Sequence, residues 1–156
     1  MADVTFRKAA GVLDAYGREI PASDFCRLNR DGTGPRSIPD GLPYVPQGFP
    51  LGPCKITEVV ETTEAHLAPL FIRTTAAQLV PVWEVNDHGV FVRDTGRWIH
   101  DLGYEIHWSD LDFTDGCVRV IDLEDQKWLA AQVQYELNEL RKLNPAEAWI
   151  SMECVA

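Results

Sequence analysis

Val118-Arg119-Val120-Ile121-Asp122-Leu123-Glu124-Asp125-Gln126-Lys127-Trp128-Leu129-Ala130-Ala131-Gln132-Val133-Gln134-Tyr135-Glu136-Leu137-Asn138-Glu139-Leu140 is the stretch on which the reading of the fold turns. Its first four residues are β-branched and apolar around a single Arg, the composition of a short strand. Asp122 then stands where a helix N-cap is wanted, and good helix formers continue to Asn144-Pro145. Leu129, Val133, Leu137 and Leu140 recur at helical spacing, which predicts one amphipathic helix over 122–144, on the order of 30 Å long at 1.5 Å per residue. Its apolar stripe is expected to pack on a core.

Working outward, the residues before this stretch read as strands. Lys55 to Val60, Leu70 to Ile72, Leu79 to Trp83 and Val90 to Val92 are short apolar and β-branched runs, separated by polar turns such as Asn86-Asp87-His88-Gly89. Earlier still, six Pro and five Gly crowd the interval 32–53. Each Pro removes an amide donor and fixes its own backbone, so this interval is expected to form turns and extended edge pieces wrapped over a sheet. After the helix, Trp149 to Met152 either add a final strand or cover the helix. The expected organisation is a single α+β domain over 1–156: a turn-rich hairpin and wrap (1–53), a sheet with a Cys loop (54–121), one long helix (122–144) and a tail (145–156).

A chain of 156 residues with 46% apolar and 24% charged side chains is long enough to bury a core and too apolar to be disordered. Its formal charge of -10 repels phosphate backbones and anionic lipid headgroups, which argues against nucleic acid and membrane partners. The segment from Glu84 to Asp125 holds three Arg against eleven acidic residues, and reads as a solvated face or as an acidic rim for a cationic ligand. No run of residues has the pattern of a signal peptide or the length of a membrane span, so synthesis in the cytoplasm is expected. Cys26, Cys54, Cys117 and Cys154 contain no CxxC pair, so neither a metal site nor a disulfide framework is suggested. No cofactor is called for.

The chemistry-bearing segment is Gly103 to Arg119. Gly116 directly before Cys117 allows close backbone approach to a substrate, and a corner there would expose the thiol and aim amides at an oxyanion. A free thiol is only a few per cent ionised at neutral pH and needs a base, for which His107, ten residues upstream, is the natural partner. The wording around the pair, Ile106-His107 and then Thr114-Asp115-Gly116-Cys117-Val118-Arg119, resembles the signature of the L,D-transpeptidases. The spacing is similar to that of their compact branch, short cell-wall enzymes delivered by type VI secretion and related phage proteins. Ala10-Gly11-Val12-Leu13 with Gly17 resembles the opening hairpin of that branch. Val45-Pro46-Gln47-Gly48-Phe49 resembles its Ile-Pro-x-Gly-Tyr element, and Asp122 through Leu129 the helix after its Cys loop.

The resemblance implies a β-rich domain whose cleft holds Cys117 as nucleophile and His107 as base, acting at the diaminopimelate to D-alanine bond of peptidoglycan stem peptides. Amides of Gly116 and Cys117 would face the oxyanion. Arg119 would fix the Cys loop or hold a substrate carboxylate, unless it merely pairs with a nearby acid; Trp108 and Arg97 are further candidate substrate contacts. Glu105 or Asp110 could orient the imidazole. An antibacterial effector of this kind would work in the periplasm of a target cell, with an immunity or secretion protein as a possible partner. Two positions depart from the family pattern: Trp108 replaces Gly after the His, and Asp115 stands two before the Cys, where a carboxylate would raise the thiol pKa. They leave an inactive homologue as an alternative. His100 is the alternative base, at the longer spacing of secreted relatives but followed by Asp101. His66 and His88 read as surface residues, the Trp residues as mostly core or cleft wall, and Asp94-Thr95-Gly96 as a hairpin turn between Arg93 and Arg97. The competing reading is a non-catalytic acidic binding protein, an immunity-type inhibitor or small phage component, in which Cys117 is inert.

Overall fold

The computed structural model describes residues 2–26, 36–37, 43–44, 48–62, 70–87, 91–111, 114 and 116–156. In chain order the elements are β1 (Val4–Arg7), β2 (Val12–Ala15), β3 (Arg18–Ser23), β4 (Arg36–Ser37), β5 (Pro43–Tyr44), β6 (Gly52–Glu61), β7 (Leu70–Thr74), β8 (Gln78–Val85), β9 (Phe91–Asp101), β10 (Glu105–Trp108), β11 (Val118–Val120), α1 (Leu123–Leu143) and β12 (Ile150–Val155). Eight strands close into a mixed barrel in the order β1-β12-β6-β7-β10-β11-β3-β2, and β4-β5-β8-β9 form a second sheet. The fold is a β-rich α+β fold: an eight-stranded mixed barrel, a long hairpin and one C-terminal helix.

The opening of the chain makes two tight reversals. Lys8 O accepts the Gly11 amide at 3.1 Å, and Tyr16-Gly17 link Ala15 to its partner Arg18 with φ of 52° and 75°. Positive φ at both positions is the two-residue hairpin geometry that Asn and Gly usually supply. Tyr16 tolerates it while its ring packs edge-on against Trp128 and its hydroxyl donates to Glu136 on α1. The tail resolves the alternative left open by the sequence: β12 inserts between β1, to which it is parallel, and β6, to which it is antiparallel. One strand from each end of the chain therefore shares a barrel seam.

Alternation puts Val4, Phe6, Leu13, Ile20, Ile56, Ile72, Ile106, Val118, Val120, Ile150 and Met152 inside. On α1 the expected stripe is buried, with Leu129, Val133 and Leu137 fully enclosed and Leu140 partly so. Asp122 caps the helix as expected, its carboxylate accepting the Glu124 and Asp125 amides. Of the Pro- and Gly-rich interval, the described pieces are extended or irregular, and Phe49 enters the core against Phe6 and Tyr104. Its amide is held by Asp24 Oδ2 at 2.9 Å, which also meets Lys8 Nζ at 2.9 Å. A Cβ at Gly48 would lie 2.6 Å from that carboxylate oxygen, so any other residue there would displace the Asp24 side chain.

Two expectations are corrected. Asp94-Thr95-Gly96 is no hairpin turn but a bulge inside β9: β8 pairs Pro81 with Trp98 and Trp83 with Asp94, leaving β9 with the extra residues. Thr95 Oγ1 donates to Val82 O and accepts the Arg97 amide, and Asp94 Oδ1 accepts the Gly96 amide, so side chains satisfy what the ladder loses. Trp98 and Trp149 are not core either, whereas Trp128 is partly buried against the core. Trp98 is 60% exposed and Trp149 41%, while among the described residues Tyr104, Phe6 and Phe49 are the enclosed aromatics. Cations lie over two of the indoles, Arg18 over Trp128 and Lys55 over Trp149.

Because Leu129 is fully enclosed in the cluster where helix and barrel meet, Leu129→Ala is expected to cost about 3 kcal/mol and Asp122→Ala about 1 kcal/mol. Urea unfolding followed by far-ultraviolet circular dichroism checks both; similar losses in the two variants would mean that the helix is not anchored through this stripe.

Candidate active site

The pairing of β10 with β11 sets His107 and Cys117 on neighbouring segments. The two strands are parallel, with Ile106 opposite Val118, His107 opposite Arg119 and Trp108 opposite Val120. Ile106, Val118 and Val120 face the core. Period-two alternation therefore sets Glu105 and His107 on the outer face with Arg119, and Cys117, one residue before β11, next to Glu105. That last contact is direct: the Glu105 amide donates to Cys117 Sγ at 3.3 Å. The imidazole stands one strand across and two residues along from the thiol.

The thiol also donates to Gly103 O at 3.7 Å. Ionisation would remove that donor while strengthening the Glu105 amide bond, so the amide favours thiolate and the carbonyl favours thiol. Gly103 is placed by the link between the β8–β9 ribbon and the barrel. Tyr104 is enclosed, its hydroxyl donating to Asp101 Oδ2 at 2.7 Å and accepting from Gln78 Nε2 at 2.8 Å, while its carbonyl accepts from Thr74 Oγ1. Gly103 has φ 84° and Gly116 φ 115°, conformations that a side chain would strain.

His107 is 6% exposed. Its Nδ1 lies 3.0 Å from Trp108 O, and since a carbonyl only accepts, this contact is a hydrogen bond when Nδ1 carries the proton. Nε2 is then the basic nitrogen of the neutral ring. The main chain thus does at Nδ1 what Glu105 or Asp110 was expected to do. Alternation sends the Trp108 side chain to the face of Ile106, away from Cys117, and the contribution of Trp108 to the site is its carbonyl.

The turn before Cys117 is locked by Thr114, whose Oγ1 accepts the Gly116 amide at 3.0 Å and donates to Cys117 O at 2.8 Å. The Gly116 amide, expected to face an oxyanion, is therefore engaged; serving a substrate oxygen requires exchanging that bond. Thr114 was quoted in the sequence motif but given no role, and an ST turn two residues before a Gly was the signal available. Arg119 Nε donates to Ser109 O at 3.3 Å, which ties down the loop between β10 and β11. Among the described residues no carboxylate pairs with its guanidinium. The structure does not bring His100 or Arg97 to this face: both are exposed on β9 in the other sheet, with His100 opposite Leu79. Asp115, His66, His88 and Val45 to Gln47 lie outside the described residues.

Among the described residues no group of His, Cys, Asp or Glu could hold a metal ion, and no helix is long and apolar enough to cross a membrane. Two open cavities, of about 620 and 540 Å³, are lined by other residues than Cys117 and His107. Comparison with protein families, with curated proteins and with solved structures finds no match.

The four thiols are chemically unequal. Burial pushes the Cys54 and Cys154 thiols up to about 11. At pH 7.5 iodoacetamide is expected to label Cys117 before either of them, with peptide mass mapping as the readout; faster labelling of Cys54 would contradict the arrangement described. The same two thiols prefer their neutral form in the folded state. That preference is fully present below about pH 9 and lost as pH rises through about 11, so stability should decline across this window, less steeply in Cys54→Ala/Cys154→Ala.

Proposed function

We propose that this domain is a cysteine-dependent acyl-transfer enzyme of the L,D-transpeptidase type, acting on peptidoglycan stem peptides. The observation that carries the reading is the pairing of β10 with β11, which puts a thiol held by the Glu105 amide beside a histidine whose Nδ1 is bound by a main-chain carbonyl. A nucleophile on one strand and a base on the next, with a third group fixing the tautomer, is the kind of grouping such chemistry uses, and this supports the reading. The closed β-rich barrel and the single helix after the Cys turn are compatible with it.

In the proposed reaction His107 Nε2 takes the thiol proton as Cys117 Sγ attacks the carbonyl between the L centre of diaminopimelate and the terminal D-alanine. A thioester forms, the peptide C–N bond breaks, and the proton passes to the leaving amine. Water then releases the acyl group, giving a carboxypeptidase, or a second amine accepts it, giving a transpeptidase. The part of the Arg119 guanidinium not bound to Ser109 O suits a substrate carboxylate on the same face. As an antibacterial effector the enzyme would act in the periplasm of a target cell after delivery.

A second reading, a non-catalytic acidic binding protein, is favoured by the 620 Å³ groove, where Asp3, Glu136 and Glu139 stand beside Tyr16 and Tyr135. Acids and aromatic faces together suit a cationic partner. Under that reading Cys117 can be removed without consequence.

Incubation with purified sacculi, followed by mass analysis for released D-alanine, separates the two. Cys117→Ala is expected to stay folded and release none. His107→Ala should lose at least about a hundredfold in turnover, the low end of general-base contributions, while His100→Ala keeps most of its rate. An inactive His100→Ala beside an active His107→Ala would transfer the base to the ribbon and refute the assignment.

A further inference from the structure

On the inner side of the same strands, α1 reaches the site through one side chain. Gln126, in the first turns of the helix and fully enclosed, donates from Nε2 to Ile106 O at 3.2 Å and to Leu70 O at 3.1 Å. The two acceptors belong to β10 and β7, at the end of their pairing, where His107 lies opposite Phe71. The amide orientation is fixed, since the flipped form would set Oε1 against two carbonyl oxygens. Oε1 is left as a buried acceptor with no hydrogen-bond partner among the described residues.

This is a costly way to attach a helix. Two shared hydrogen bonds carry with them one orphaned buried acceptor, a penalty that an apolar side chain of the same length would not incur. What an apolar side chain cannot do is fix the peptide plane between Ile106 and His107. That plane sets the direction of the His107 Cα–Cβ bond, and the imidazole is then held at its other end by Trp108 O. We propose that Gln126 is a positioning residue, aiming His107 at Cys117 from inside the barrel by gripping the Ile106 carbonyl. The proposal rests on Cys117 and His107 forming a working pair, and extends it by tying their alignment to the seating of α1.

Cys117 alkylation by iodoacetamide, mapped by peptide mass from pH 5.5 to 9, tests it without any substrate. In the wild-type protein the imidazole assists ionisation of the thiol. His107→Ala is expected to move the rate profile to higher pH, and Gln126→Met to move it the same way, with a rate at pH 7 lower by about fivefold or more for a small misalignment. The thermal midpoint of Gln126→Met is expected to fall modestly, since the Ile106 and Leu70 carbonyls lose a donor while the Oε1 orphan is removed. A shifted profile in His107→Ala beside a wild-type profile in Gln126→Met overturns the role of Gln126 and leaves the pair standing. Wild-type profiles in both overturn the pair and the proposal together. A fall in thermal midpoint with an unmoved profile shows that Gln126 only fastens the helix, and also overturns it. Should Gln126→Met not fold, Gln126→Asn, too short to bridge both carbonyls, is read by the same profile and the same criteria.

Discussion

The structure depends on a constraint of sheet geometry: β10 and β11 lie side by side and parallel. An antiparallel neighbour can be reached by a two-residue turn, but a parallel one obliges the chain to travel back the length of the strand before pairing. Here residues 109–117 make that return, and Cys117 is where it ends. The tight approach explains Gly116 at φ 115° and the Thr114 hydroxyl bonded on both sides. It also explains why the Cys117 thiol meets the Glu105 amide, for the parallel register leaves that position opposite the last residue of the crossover. The chemical face of the molecule follows from how the chain gets home.

Everything on the outer face is held from within. Ile106, Val118 and Val120 belong to the enclosed cluster shared with Leu129 and Val133 of α1, and burying each side chain contributes on the order of 2 kcal/mol. The Tyr104 hydroxyl, Asp101 and Gln78 form a polar node under the junction of ribbon and barrel. A node of this kind is expensive to leave half-satisfied, so it fixes where Gly103, and with it the carbonyl touching Cys117, must be. Gln126 does the corresponding work one turn into the helix.

The reactivity of the thiols follows from the same division. Cys54 and Cys154 sit on β6 and β12, in paired strands whose burial disfavours the thiolate. Cys117 stands outside the regular ladder, partly exposed, with an amide donor on its sulfur. Under the proposed function, that position next to a glycine at the end of a crossover is what would let Cys117 serve as a nucleophile.

Helix α1, its Asp122 cap and its stripe were legible because each is written in residues close together in sequence, at a period that only a helix matches. The runs that became β6, β7, β8 and β11 were legible for the same reason, as was the Gly116-Cys117 corner with His107 as its nearest candidate base. What escaped were features set by neighbours distant in the chain. Trp98 and Trp149 read as core or cleft wall because they are large and apolar, yet both lie at the surface, Trp149 beneath Lys55. Asp94-Thr95-Gly96 has the composition of a turn, and only the register imposed by β8 makes it a bulge. Local chemistry, then, determined the elements and nominated the cysteine and the histidine. Which strands became parallel neighbours, and so whether thiol and imidazole share a face, was decided by closure of the barrel, because strand pairing is an interaction between backbones and carries no mark in the side chains that sequence displays.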